Sequence, residues 1–140
     1  MISTIIFIIC FICLWLFIAL YPPSHKILRK RKTYNTFLIT SILSPIITLL
    51  SYDKNDEVYS KNIFWGSFFF IIFILLYKYF DNYIIKKHER NLILAIKFNE
   101  FWHDDESDKQ TSIELLFQIL LLGIPIFYIL LSNYLVMNLT

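Results

Sequence analysis

Eleven of the thirteen lysine and arginine residues fall in two stretches of this chain, and those stretches alternate with four long apolar runs, residues 2–21, 36–52, 63–80 and 113–137. Between the first two runs lies His25-Lys26-Ile27-Leu28-Arg29-Lys30-Arg31-Lys32, with five positive charges. Between the third and fourth, residues 78–112 hold six more. The remaining two, Lys54 and Lys61, share residues 53–62 with three acids. Basic loops stay on the cytoplasmic side of a membrane, so the pattern predicts one threading. The N-terminus is outside, both basic loops are inside, the short 53–62 loop is outside, and the C-terminus is outside. On this reading Arg29, Lys30, Arg31, Lys32, Lys86, Lys87 and Arg90 are the topology determinants.

The competing expectation is a soluble helical domain with very apolar core helices. Crossing the ~30 Å hydrocarbon core takes about 20 residues, with a range of about 17–25. The first and fourth runs reach that length, and the second and third reach it with their flanking Tyr and Trp. Apolar residues make up 57% of the chain, which has only two Gly and four Pro. A soluble domain of 140 residues has no core large enough to hide four such segments. The sequence therefore predicts an all-α, polytopic membrane protein, one membrane domain over 1–140 with four transmembrane helices and an amphipathic segment on the cytoplasmic side over about 82–102.

A secretory signal would need a basic start and a small-residue cleavage site. Met1-Ile2-Ser3-Thr4 has no basic side chain, and the first run ends at Tyr21-Pro22-Pro23 before a basic cluster. These flanks describe an uncleaved helix inserted N-terminus outward. Cys10 and Cys13 lie one turn apart inside it, too few for a disulfide framework and without a His or acid to complete a metal site.

The second run carries Ser41, Ser44, Thr48 and Ser51, spaced by three, four and three residues, which places four hydroxyls on one helical stripe. Small hydroxyl residues let membrane helices approach and hydrogen-bond. The stripe faces either a neighbouring helix of the same chain or another protein in the bilayer; the spacing alone does not separate the two. Pro45 in the middle should bend the helix and free a backbone carbonyl for these hydroxyls. The third run opens at Trp65-Gly66-Ser67 and closes at Tyr77-Lys78-Tyr79, ordinary interfacial anchors. It either runs on as one rod or bends at Asp81-Asn82. Beyond it, Lys86, Glu89, Arg90, Lys97 and Glu100 gather on one arc of a helical wheel, while Leu92, Leu94, Ile96, Phe98, Phe101 and Trp102 fill the broader remainder, with Ile93 an exception. This pattern predicts an interfacial helix whose basic edge meets anionic lipid heads.

The cluster His103-Asp104-Asp105-Glu106-Ser107-Asp108 reads as a solvated turn, because consecutive acids rarely converge on a metal ion. Thr111-Ser112-Ile113-Glu114 fits a capping box, with Thr111 as N-cap and Glu114 three residues later. Gln118 lies a little over one turn into the fourth run, and a side-chain amide in hydrocarbon should face the bundle or a partner. Gly123 and Pro125 permit close approach and a bend at mid-membrane.

No Asp, Glu, Lys or Arg lies deep in any run, so a proton relay or coupling-ion site is not expected. No Ser/His/Asp or Cys/His set, paired carboxylates, metalloprotease motif or phosphate loop assembles from the sequence. The expectation is a non-enzymatic chain without catalytic, cofactor or metal sites. Its partners would be membrane lipid and a protein within the bilayer, not nucleic acid.

Residues 30–140 resemble the immunity proteins that protect bacteria from their own channel-forming colicins. The resemblance rests on the basic start, Lys54-Asn55-Asp56-Glu57-Val58-Tyr59, Lys78-Tyr79, Asn82-Tyr83-Ile84-Ile85-Lys86-Lys87 followed by Glu89-Arg90, Phe101-Trp102, and Leu122-Gly123-Ile124-Pro125 in the last helix. The first apolar run is extra relative to the three-span members. The resemblance implies residence in the bacterial inner membrane, lateral recognition of the toxin's inserted pore helices, and a block on channel opening. Contact would then fall on Ser41, Ser44, Thr48, Ser51, Gln118 and Gly123. The alternatives are an accessory subunit of a larger membrane complex, and an oligomeric pore lined by the hydroxyl stripe.

The threading makes a direct prediction. A reporter active only outside the cytoplasm should be active when fused after Asn55 or Thr140 and silent after Lys32 or Lys97. Activity after Lys97, or silence after Thr140, overturns it.

Overall fold

The computed structural model describes residues 24–94 and 107–139, and among these every regular element is helical. A short helix α1, Ser24–Arg29, leads into α2, Arg31–Leu50. A 3₁₀ turn at Lys54–Asp56 precedes α3, Glu57–Gly66, and α4, Phe69–His88. A second 3₁₀ turn at Ser107–Lys109 precedes α5, Ser112–Leu139. Three stretches, Arg31–Leu50, Lys54–His88 and Ser112–Asn138, are long and apolar enough to cross a membrane. The first apolar run, with Cys10 and Cys13, and the acidic turn at 103–106 lie outside the described residues.

The third apolar run is part of a longer, broken rod. It begins six residues before Ile63, at Glu57, and is interrupted at Ser67-Phe68. The interruption is satisfied locally. The Ser67 backbone N–H donates to the Ile63 and Phe64 carbonyls at 2.9 and 3.2 Å, its hydroxyl donates to the Phe64 carbonyl at 2.6 Å, and the Phe68 N–H donates to Trp65 at 3.3 Å. Across the bundle, the Tyr128 hydroxyl donates to the same Trp65 carbonyl at 2.8 Å. An unpaired carbonyl in hydrocarbon costs several kcal/mol, so a helix break at this depth needs such partners.

The α3–α4 rod is central, with α2 packed on one side and α5 on the other. Its buried stripe, Phe70, Phe73, Ile74, Tyr77, Phe80 and Ile84, repeats at the three- and four-residue spacing of a helix face. Phe80 stacks on Phe117 of α5 with ring centroids 4.2 Å apart, and Phe37 of α2 meets Phe70 edge-on at 5.9 Å. Large apolar side chains are also exposed on the outside, among them Ile39, Ile47 and Leu50 on α2 and Phe127 and Leu130 on α5. Soluble monomers rarely leave contiguous patches of this kind in water. The surface suits hydrocarbon.

The described part of the expected interfacial segment departs from the sequence reading. Helix α4 continues through Asp81-Asn82 without a bend and stops at His88. Glu89 then takes left-handed backbone geometry, φ 56°, and its N–H closes the turn onto the Ile85 carbonyl at 3.0 Å. Residues 91–94 are not helical, and Leu92, Ile93 and Leu94 are buried. Residues 95–102 lie outside the described residues.

These two readings of position 89 predict opposite signs for one substitution. Left-handed geometry costs an L-residue about 1 kcal/mol that glycine does not incur. Glu89→Gly should therefore raise the unfolding free energy in micelles by up to about 1 kcal/mol. A helix running through 89 would instead lose about 1 kcal/mol with glycine in its interior, and that result would restore the interfacial helix.

Candidate functional site

The reason α4 stops at His88 lies in two carboxylates that receive the chain on its return. Glu114, in the first turn of α5, is fully buried. Its carboxylate accepts five hydrogen bonds. Arg90 forks onto it, Nη1 to Oε1 at 2.6 Å and Nη2 to Oε2 at 2.8 Å. The Ile93 N–H donates to Oε1 at 3.0 Å, and the Thr111 N–H and hydroxyl donate to Oε2 at 2.7 and 2.9 Å. The Glu114 N–H in turn donates to the Thr111 hydroxyl at 3.4 Å, which completes the capping box expected from Thr111 and Glu114. Asp81 on α4 accepts the Leu92 N–H at 2.9 Å and the Asn91 side-chain amide at 3.3 Å.

The carbonyls of the same segment are also met by side chains. Arg29 Nη2 donates to the Leu92 carbonyl at 3.2 Å, and Gln110 Nε2 donates to the Ile93 carbonyl at 3.2 Å. Leu92 and Ile93 thus lie in the interior with no strand beside them, and four side chains from different parts of the chain supply the partners a sheet would have given. This clasp joins α1, α4 and α5 at the basic end of the bundle. Arg90 belongs to it: its guanidinium points inward to Glu114, not outward along a basic lipid-facing edge.

The hydroxyl stripe is divided. Ser41 and Ser44 are buried within the chain, and Ser51 is exposed. Ser41 donates to the Leu38 carbonyl at 2.8 Å, and Thr48 donates to the Pro45 carbonyl at 2.9 Å and to the Ser67 hydroxyl at 3.3 Å. The Thr48–Ser67 contact fixes α2 against the break in the central rod. Gln118 is buried and accepts from Gln110 Nε2 at 3.0 Å, so its amide faces the bundle. Gly123 differs from the buried members of this set. It is exposed, with nothing within 4 Å of where a Cβ would stand. Lys30, Arg31, Lys32, Lys86 and Lys87 are exposed on the side where the clasp closes, and Arg29 is partly buried through its bond to Leu92.

Sequence reasoning assigned Glu114 a cap and Arg90 a place among lipid-facing charges, and it missed that the two are partners. Arg29 was assigned to topology and Asp81 to a possible bend, and neither these nor Gln110 carried a signal for the backbone groups they meet. Among the described residues, no three His, Cys, Asp or Glu side chains approach as metal ligands. No family model, curated protein or solved structure matches this chain. The likeness to colicin immunity proteins therefore rests on the residues quoted above.

Glu114→Gln should be among the most destabilising single changes in the chain, because it leaves a largely buried guanidinium without its counter-charge. Breaking a buried pair costs about 3–5 kcal/mol, with the lower end apt here since the Arg90 side chain keeps 28% of its exposure. Arg90→Met should cost a comparable amount. The double variant should lose about 1–3 kcal/mol less than the sum of the two in micelle unfolding. Strict additivity would show that the pair does not hold the segment.

Proposed function

We propose that this chain is a non-enzymatic protein of the bacterial inner membrane, of the colicin-immunity kind. It binds the inserted pore domain of a channel-forming bacteriocin and prevents the channel from opening. The N- and C-termini lie outside the cytoplasm, where the 53–62 loop also emerges. The observation that carries this reading is the outward face of α5. Ile119, Gly123, Ile126, Phe127 and Leu130 recur at helical spacing along one stripe. Ile119, Phe127 and Leu130 are 57%, 66% and 63% exposed, and Gly123 forms a notch among them.

In lipid there is no hydrophobic drive between helices, so association rests on close packing and hydrogen bonds, and small residues mark where backbones approach. A glycine with open space before it among the described residues, set among large apolar side chains, is the arrangement a partner helix would use. Three polar groups of the described interior are by contrast bonded within the fold: Gln118 to Gln110, Thr48 to Ser67, Arg90 to Glu114. Of the contact residues suggested by the sequence, Gly123 is the one whose surroundings favour a partner. Gln118 supports the reading indirectly, by tying α5 to Gln110, and Thr48 by fixing α2 to the central rod.

Cells expressing the chain should survive challenge with at least one member of a panel of channel-forming bacteriocins. Gly123→Leu fills the notch and should abolish that protection while membrane abundance stays normal, since the change makes the helix more apolar. Protection against none of the panel at normal abundance sinks the immunity reading. Protection that persists in Gly123→Leu keeps the function and removes this face as its surface.

A further inference from the structure

Opposite the Gly123 stripe, α5 and α3 enclose a groove of about 430 Å³. Its floor is Ser132 and Val136, both buried, and Leu131 and Leu135 form the wall on the α5 side. The deep end is closed where the Tyr128 hydroxyl reaches the Trp65 carbonyl at 2.8 Å. From Tyr128 to Val136 the groove runs roughly 12 Å along α5 at the helical rise of about 1.5 Å per residue. The lining is almost wholly apolar, and Lys61 of α3 borders it. Lys61 is held 2.7 Å from the Glu57 carboxylate one turn away, and the two side chains keep 34% and 58% of their exposure.

We propose that this groove is a binding site for one phospholipid with a zwitterionic headgroup. An acyl chain lies along Ser132 and Val136, the phosphate sits against Lys61, and the headgroup amine sits against Glu57. The inference rests on the chain being a membrane protein but not on the immunity reading.

Lining and charge both select this occupant. Floor and wall are apolar side chains apart from Ser132, which suits a hydrocarbon chain. Pockets for small ligands start near 300 Å³ and are mostly apolar with a few placed polar groups, as here. A lone lysine at the mouth would select an anionic lipid. The Lys61–Glu57 pair presents both signs side by side, complementary to a phosphate followed by an ammonium group. Trp65, 47% exposed and one turn deeper than Lys61, is suited to the boundary between headgroups and tails.

The test is native mass spectrometry of the intact chain released from membranes in mild detergent. The probe is vesicles of equal phosphatidylethanolamine and phosphatidylglycerol. One phospholipid per chain should survive release, with phosphatidylethanolamine enriched at least threefold over the vesicle ratio. Ser132→Phe fills the floor, and Leu135→Trp crowds the wall from a half-exposed position. Each should lower the retained lipid at least tenfold, while a circular dichroism melt verifies that the helices remain. Glu57→Gln should leave retention in place and remove the headgroup preference. Equal retention in wild type and both groove variants would mean ordinary surrounding lipid and overturn the site, as would enrichment of phosphatidylglycerol in the wild type or a polypeptide seated in the groove in place of lipid. A chain recovered without detergent in the soluble fraction would overturn the membrane reading itself, a result distinct from loss of the retained lipid.

Discussion

One carboxylate organises the described fold. Glu114 sits at the start of an apolar helix, fully buried, and draws Arg90, the Ile93 N–H and the Thr111 N–H and hydroxyl onto its two oxygens. A buried charge is tolerated only when it is paired and its remaining lone pairs are filled. Here that requirement also settles where the chain goes. To bring Arg90 to Glu114, α4 must stop, turn through the left-handed Glu89, and send residues 91–94 back into the interior. Asp81, Arg29 and Gln110 then meet the remaining backbone groups of Leu92 and Ile93. Removing any of these partners would leave a peptide group without one in a place where water does not replace it.

Turning the polar groups inward decides what the outside is. The break at Ser67-Phe68 is closed by Ser67, Thr48 and Tyr128, and Gln118 is tied to Gln110. The outward faces of α2 and α5 are left apolar, and two features stand out on α5, half a turn apart. One is the open notch at Gly123, the basis of the immunity proposal. The other is the groove bordered by Lys61, the proposed seat of a lipid. A membrane-embedded binder that recognises a partner through one face of its last helix needs that helix held at a constant angle. The clasp anchors its N-terminal end, and the Tyr128–Trp65 bond ties it to the central rod further along.

Several features were legible in the residues because their cause is local or periodic. Long apolar runs separated by charged loops announce helices of membrane length, and three of the four appear in the described structure as helices with that character. The capping box is a contact over three residues, so Thr111 and Glu114 disclosed it by spacing. Gln118 had to turn inward because an amide in hydrocarbon has no other favourable direction. The likeness to immunity proteins, and with it the proposed partner, came from short motifs alone.

The tertiary structure decided the rest, and in each case the physical cause spans the chain. Arg90 and Glu114 are 24 residues apart and Arg29 and Leu92 are 63 apart, and such pairings leave no periodic trace. On a helical wheel Arg90 falls among lipid-facing charges, and only the fold shows it turned to the interior. The wheel likewise extends a helix through Glu89, because local propensity contains no term for a carboxylate waiting in another helix. The hydroxyl stripe fixed which residues share a face but not what that face meets; the packing of α2 on the central rod buried Ser41 and Ser44 and left Ser51 outside. What the sequence by itself determined was therefore the solvent each segment seeks. Which polar groups satisfy one another once that solvent excludes water was settled only when the helices were brought together.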